Sequence, residues 1–310
     1  MGESTLETVE AVRPANWLQR WLEENQSLIE DWRRGIYRFR QSTLSLVGLT
    51  TVVFLILVAI TGPYWVPYPE DAVGAIHMKE RLQAPSRTHL FGTDEVGRDI
   101  FTRVVLGTRI SLQVGLMILA VAISIGVTLG SIAGYLGGWV NELIMRCTDI
   151  MLTIPGIFLA LAISAALGPS VMHAMMALSI MWWPGYCRLV QAQVLSAKEE
   201  DYVQAALSIG ASRRRIIFRH ILPNIMSAII VKASMDFGFA VLNLAALGFI
   251  GVGAQQPVPE WGAMISYGRR YLPNWWWYST FPGLAMFLTV FGFNMLGDGL
   301  RDVFDPRARR

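Results

Sequence analysis

The sequence predicts an all-α membrane protein with six transmembrane helices and both termini in the cytoplasm. Three observations predict it. Apolar residues gather in runs of about 20, which at about 1.5 Å per residue cross a hydrocarbon core of about 30 Å. Of the 310 residues, 53% are hydrophobic and only 16% are charged, and mean hydropathy is +0.42, which excludes an ordinary soluble domain. Arg and Lys concentrate in one alternate set of connections, and the richer set is expected inside the cell. The net charge of +3 is small, and no basic stripe alternates with aromatics, so nucleic-acid binding is not expected. Cys147 and Cys187 have neither metal-ligand spacing nor the pattern of a disulfide framework.

The elements follow in order. Residues 1–43 read as a cytoplasmic tail without the short apolar run of a cleavable signal. Within it, residues 16–40 form an amphipathic helix. Trp17, Trp21, Leu28, Ile29, Trp32 and Ile36 make one side, and Arg33, Arg34, Arg38 and Arg40 follow, a pattern suited to a membrane interface. Residues 44–62 are the first span, stopped by Gly62-Pro63. Residues 63–109 are an outer loop with balanced charge. Its glycines permit tight turns, and its acids can pair with Arg98 across them in a compact knot. Residues 110–300 form the core. The second span, to residue 136, is rich in glycine that permits close packing. The third, 143–167, is interrupted at Pro155-Gly156, and Arg146 and Asp149 near its start are close enough to pair. The fourth, 171–190, has a kink signal at Pro184-Gly185, and His173 at its outer edge reads as structural. The fifth is 225–251 and the sixth 282–300, with Trp275, Trp276 and Trp277 as an interface anchor before it. Residues 301–310 are a basic cytoplasmic tail.

Between the fourth and fifth spans lies a charged island, residues 191–223. Ser196 and Glu199 have capping-box spacing, and Glu199, Glu200 and Asp201 suit the first turn of a helix. Val203, Ala206, Leu207 and Gly210 recur on one helical face whose small residues would let another protein approach closely. Gly210 predicts the stop, and Ser212 predicts the cap of a second helix carrying Arg213, Arg214, Arg215 and Arg219.

Gln204-Ala205-Ala206, then Gly210, then Leu222-Pro223 resembles the EAA loop of ATP-binding-cassette importer permeases. Gln204 stands where that loop usually has Glu, and His220 where it usually has Ile. The string from His89 to Asp99 resembles a signature of permeases for dipeptides, oligopeptides and nickel. Ala245 to Phe249, Gly253-Ala254-Gln255, Pro259 to Gly262 and Asn294 to Asp302 extend the likeness over residues 44–306. The chain is thus similar to the C-type permease subunit of such importers. The resemblance implies a type I importer permease fold in the cell's inner membrane. It implies pairing with a B-type permease, two cytoplasmic ATP-binding subunits and a periplasmic or lipid-anchored substrate-binding protein. It also implies that Glu199, Asp201, Tyr202, Val203, Gln204, Ala205, Ala206, Leu207, Gly210, Ala211 and Ser212 form a coupling helix and its turn, seated on the ATPase.

No G-x-x-x-x-G-K-[ST] string occurs, and no H-E-x-x-H or G-x-S-x-G. The chain is therefore not expected to be an enzyme or to bind a cofactor or metal, and ATP with Mg²⁺ would act on partner subunits. Lys232 and Asp236, four apart on the fifth span, either line a hydrated path with Asn243 and Asn294 or satisfy each other as a packing pair. Peptide uptake is the leading functional reading. The same machine could carry nickel, a metal chelate or another small solute. A self-contained channel or ion-coupled transporter, with Lys232 and Asp236 as coupling groups, is the reading of another class; no internal inverted repeat supports it.

Overall fold

A computed structural model describes residues 26–304, with side chains described from residue 33. Residues 1–25 and 305–310, and the side chains of Leu28, Ile29 and Trp32, lie outside this description, and with them Trp17, Trp21, Arg307, Arg309 and Arg310. The helices are α1 Gln26–Gln41, α2 Thr43–Thr61, α3 Ile100–Leu136, α4 Gly138–Thr153, α5 Gly156–Leu167, α6 Val171–Lys198 and α7 Asp201–Ser208. They continue with α8 Arg213–Ile250, α9 Trp261–Gly268 and α10 Trp277–Phe304. Among the described residues there is no strand, only one isolated bridge, Thr93 to Asp99.

Among these helices, α2 (with its following turn), α3, α8 and α10 are long and apolar enough to cross a membrane. The bent pair α4–α5 is a fifth candidate. The predicted third span is not one rod: α4 and α5 meet at 86°. Pro155 cannot donate a hydrogen bond, and Ile154 before it is extended (φ −84°, ψ 124°), as residues before proline tend to be. Helix α6 has 28 residues, ample for a crossing, but His173 and Trp182-Trp183-Pro184-Gly185 dilute its apolar character.

One predicted start moves, and the Ser212 cap keeps the other. Helix α3 begins at Ile100, not 110, because Asp99 caps it by accepting from the Thr102 amide at 2.7 Å. Helix α8 begins at Arg213 and passes Pro223 through a π turn, Ile216–Ile221, in which the Leu222 amide reaches back to Ile217. Pro223 has no amide hydrogen to give, and the wider turn absorbs the missing bond.

Close packing comes from glycine. On α3, Gly126, Gly130 and Gly134 face α6; a Cβ at Gly126 would stand 2.5 Å from Tyr186 Cβ, and at Gly130 2.9 Å from Val190 Cβ. On α2, a Cβ at Gly48 would stand 2.8 Å from Met295 Cβ of α10. Dispersion and small residues hold such seams where no hydrophobic force acts between lipid-soluble rods.

The connection between α2 and α3 is the compact knot the sequence predicts. Asp94 Oδ1 accepts from the Val96 and Arg98 amides at 3.0 and 2.8 Å. His89 Nδ1 lies 3.0 Å from Asp99 Oδ1, and the Asp99 amide donates to Asp71 Oδ2 at 2.7 Å. The knot also ties the connection between α8 and α9. Arg98 donates to Gln256 at 3.2 Å, Gln256 donates to Glu95 at 2.7 Å, and Arg103 donates to the Asp71 and Pro257 carbonyls at 2.8 and 3.1 Å. Burial pushes the Asp94 carboxyl above its ordinary range, and the Arg103 charge opposes that shift. Trp277, read as an interface anchor, is instead buried, its indole donating to Thr93 O at 3.4 Å; Trp276 keeps the exposed position. Trp261 is fully buried and donates to Val104 O at 3.1 Å. Glu260 caps α9, accepting from the Gly262 and Ala263 amides at 2.8 Å each.

Candidate functional site

A short helix, α7, joins α6 to α8 through two turns. The sequence placed a helix start at Ser196, but α6 runs through to Lys198, since Ala192, Leu195, Ala197 and Lys198 are good helix formers. Ser196 is therefore inside α6, and Glu199 ends that helix instead of opening the next. Glu200 is the N-cap of α7 by backbone conformation, without a side-chain bond, and only Asp201 lies in its first turn.

The end of α7 is as predicted. Gly210 has φ +77°, a conformation that costs glycine nothing. Its amide donates to Leu207 O at 2.9 Å, and the Ala211 amide donates to Ala206 O at 3.0 Å. This pair of bonds is a Schellman turn. Ser212 then caps α8, its hydroxyl accepting from the Arg215 amide at 3.4 Å. Gln204 shows what a glutamine achieves there: its amide nitrogen donates to Lys198 O at 2.9 Å, tying α7 to the end of α6. A carboxylate could not donate that bond.

The face is not the one the periodicity suggested. Val203 and Ala206 are buried, in the same apolar cluster as Ile216 and Ile221 of α8. They fasten the elbow to its own chain. Tyr202, Ala205, Leu207 and Gly210 are exposed, and Ile209 is 85% exposed. Exposed Glu199, Glu200 and Asp201 lie at one end of this apolar surface, and exposed Arg213, Arg214 and Arg215 at the other.

Within the helical bundle, Lys232 Nζ lies 3.0 Å from Asp236 Oδ2 and 5.1 Å from the centre of the Tyr186 ring. Asn243 and Asn294 do not join this pair. Each turns its amide onto its own helix, Asn243 to Phe239 O at 2.8 Å and Asn294 to Val290 O at 2.9 Å. Asp149 pairs with Arg188 of α6, not with Arg146, which pairs with Glu142 at 3.1 Å. Sequence proximity pointed to Arg146, and nothing local signalled a partner 39 residues away. His173 has a structural role, with Nδ1 2.8 Å from Gly168 O.

One group among the described residues has ligand atoms close enough to share an ion: Glu70, Asp71 and His77, within 4.8 Å of one another. Both Asp71 oxygens are already engaged, one with His77 at 2.9 Å and one with the Asp99 amide. Burial pushes the Asp71 carboxyl above its usual range, opposed by that amide and by His77.

Known proteins resemble the chain along nearly its whole length. Residues 126–310 match the family described as binding-protein-dependent transport system inner membrane component. Residues 31–85 match the N-terminal TM domain of oligopeptide transport permease C. The chain is 46% identical over 287 residues to a dipeptide transport system permease protein of Alkalihalophilus pseudofirmus, covering 93% of each. It is 46% identical to a probable D,D-dipeptide transport system permease protein of Escherichia coli, over 88% of this chain and 91% of the relative. It is 43% identical to a glutathione transport system permease protein of Shigella flexneri, over 90% of this chain and 91% of the relative.

Proposed function

The chain belongs to the family of binding-protein-dependent transport system inner membrane components, and from that premise we propose that it is the permease subunit of an ATP-driven peptide importer, with dipeptides as its leading cargo. The relatives' own cargoes support this choice. It forms half of the path, with a B-type permease supplying the other half. Two cytoplasmic ATPase subunits bind ATP and Mg²⁺, and a substrate-binding protein delivers solute from outside. The chain itself hydrolyses nothing. The bent α4–α5 pair and α6 complete six crossings, and the basic elbow and both termini lie in the cytoplasm.

One observation carries the mechanism: the apolar face of α7 that this chain leaves uncovered. Tyr202, Leu207 and Ile209 seat in a groove of the ATPase, while Val203 and Ala206 pass the resulting force to α8 through Ile216 and Ile221. Closure of the ATPase dimer pushes α7, the spans rock, and the path opens alternately to either side. The Schellman turn keeps the elbow stiff enough to push.

Gly210→Arg tests this. An arginine at φ +77° strains the turn, and its bulk lies on the seating face. Uptake should be lost while the protein remains in the membrane at normal amount. Normal uptake by that variant would refute seating at α7.

A further inference from the structure

Two ion pairs of the bundle share one side of α6. Asp149 of α4 pairs with Arg188 of α6, and each side chain is 53% exposed. Gly185 lies three residues earlier on α6, about 4.5 Å along the axis and on the same face. A Cβ at Gly185 would meet Lys232 Cε at 3.8 Å and Nζ at 3.9 Å. Lys232 therefore crosses in front of Gly185, with its partner Asp236 one turn along α8. Three helices thus set Asp236, Lys232, Arg188 and Asp149 in a ladder of charges.

The ladder runs from the middle of α8, where Lys232 lies, to Arg188, two residues before the end of the predicted fourth span at 190. Charges half open along membrane-crossing helices are costly against lipid, so they face a bundle interior or a water-filled cavity. The outer member of the ladder is open and the inner one is partly closed: Arg188 and Asp149 keep half their surface and Lys232 a third, while Asp236 is largely enclosed.

We infer that this ladder is the track for a zwitterionic solute through this half of the path, and that Arg188 and Asp149 contact the solute directly. The inference rests on the permease reading above. A free carboxylate takes the guanidinium of Arg188 in bidentate fashion and passes to or from Lys232. A free ammonium is taken by Asp149, while Asp236 holds Lys232 in place. Because each cation already has a carboxylate beside it, the solute exchanges one partner for another and is not trapped by an unpaired charge.

The test uses the complete complex in proteoliposomes, with uptake of a zwitterionic dipeptide and of its N-acetylated form. If the unmodified complex moves neither, the permease reading itself has failed; if it moves the dipeptide, the variants decide the track. Arg188→Gln and Lys232→Gln should each lower dipeptide uptake at least about tenfold, as expected for a lost charge-assisted contact. Asp149→Asn should abolish the preference for the free amine. If the variants keep the parent rates and preference, or if the exchanged pair Asp149→Arg with Arg188→Asp restores both, the pair is a strut or a contact with the neighbouring subunit, and the inference falls. A second measurement covers variants that assemble poorly. In a Cys147→Ser, Cys187→Ser background, Arg188→Cys should react with a small charged thiol reagent, and the dipeptide should slow that reaction. An unreactive thiol, or one the dipeptide does not protect, overturns the inference.

Discussion

The knot between α2 and α3 and the elbow between α6 and α8 are both made of glycine turns, short helices and charged side chains, and they use them in opposite ways. In the knot, Asp71, Asp94, Arg98, Asp99 and Arg103 are all buried, and their polar groups meet amides, carbonyls or opposite charges within the chain. In the elbow, the buried residues of α7 are only Val203 and Ala206, and the larger side chains Tyr202, Leu207 and Ile209 face away. A region whose charged groups are buried against one another is a fixed frame. A region with an uncovered apolar face needs something outside the chain to complete it. The difference separates a part of the molecule closed on itself from a part that leaves an apolar face open.

This contrast can be broken at the knot first, where the largest loss of stability is expected. Arg103→Met leaves the buried Asp94 carboxylate with only the Arg98 cation, 4.0 Å away, and frees the Asp71 and Pro257 carbonyls. Removing one member of a buried pair costs about 3–5 kcal/mol. Thermal unfolding in detergent should show a large drop in midpoint; an unchanged midpoint would mean that the knot is not a frame.

Glu260 gives an intermediate effect that depends on pH. Burial pushes its carboxyl up from 4.5 to about 7, opposed by the Gly262 and Ala263 amides. The folded state therefore holds its proton more tightly than the unfolded chain. The stability this contributes is complete below pH 4.5 and is lost as pH rises through about 7. The unfolding midpoint should fall over that interval, and Glu260→Gln should flatten the dependence. A midpoint that rises with pH in the parent and stays unaltered in the variant would contradict this.

At the elbow the expected effects on stability are small. Gln204→Glu removes the donor to Lys198 O and sets a carboxylate near a carbonyl, at a cost of about 0.5–1.5 kcal/mol. ATP-dependent uptake should weaken by more than stability does, because α7 loses its tie to α6. Equal uptake in both forms would show that the tie carries no force.

How much was legible in the sequence follows the same division. The first span, Thr43–Thr61, matches the predicted 44–62 because an uninterrupted apolar run needs no tertiary information. Gly210 and Ser212 were legible because a positive φ and a helix cap are demands of the backbone itself. The start of α3 was not, because Arg103 reads as a loop residue until a folded knot surrounds it. Ser196 and Glu199 matched a local motif, but local spacing cannot tell whether the preceding helix has ended. The outward face of α7 was misread for a related reason. Val203, Ala206, Leu207 and Gly210 do share a helical stripe, but periodicity does not say which neighbour covers it, and α8 of the same chain covers its first two members. The Arg188–Asp149 pair joins separate helices, so no window of sequence could reveal it.

The most direct test of the account is binding of the purified ATPase subunits to the complex carrying Ile209→Asp. Ile209 is exposed and touches no part of the frame, so its replacement should shift stability by no more than about 0.5 kcal/mol. The account predicts a normal unfolding midpoint together with loss of the ATPase from the copurified complex and loss of ATP-driven uptake. Full retention of the ATPase and of uptake would contradict it.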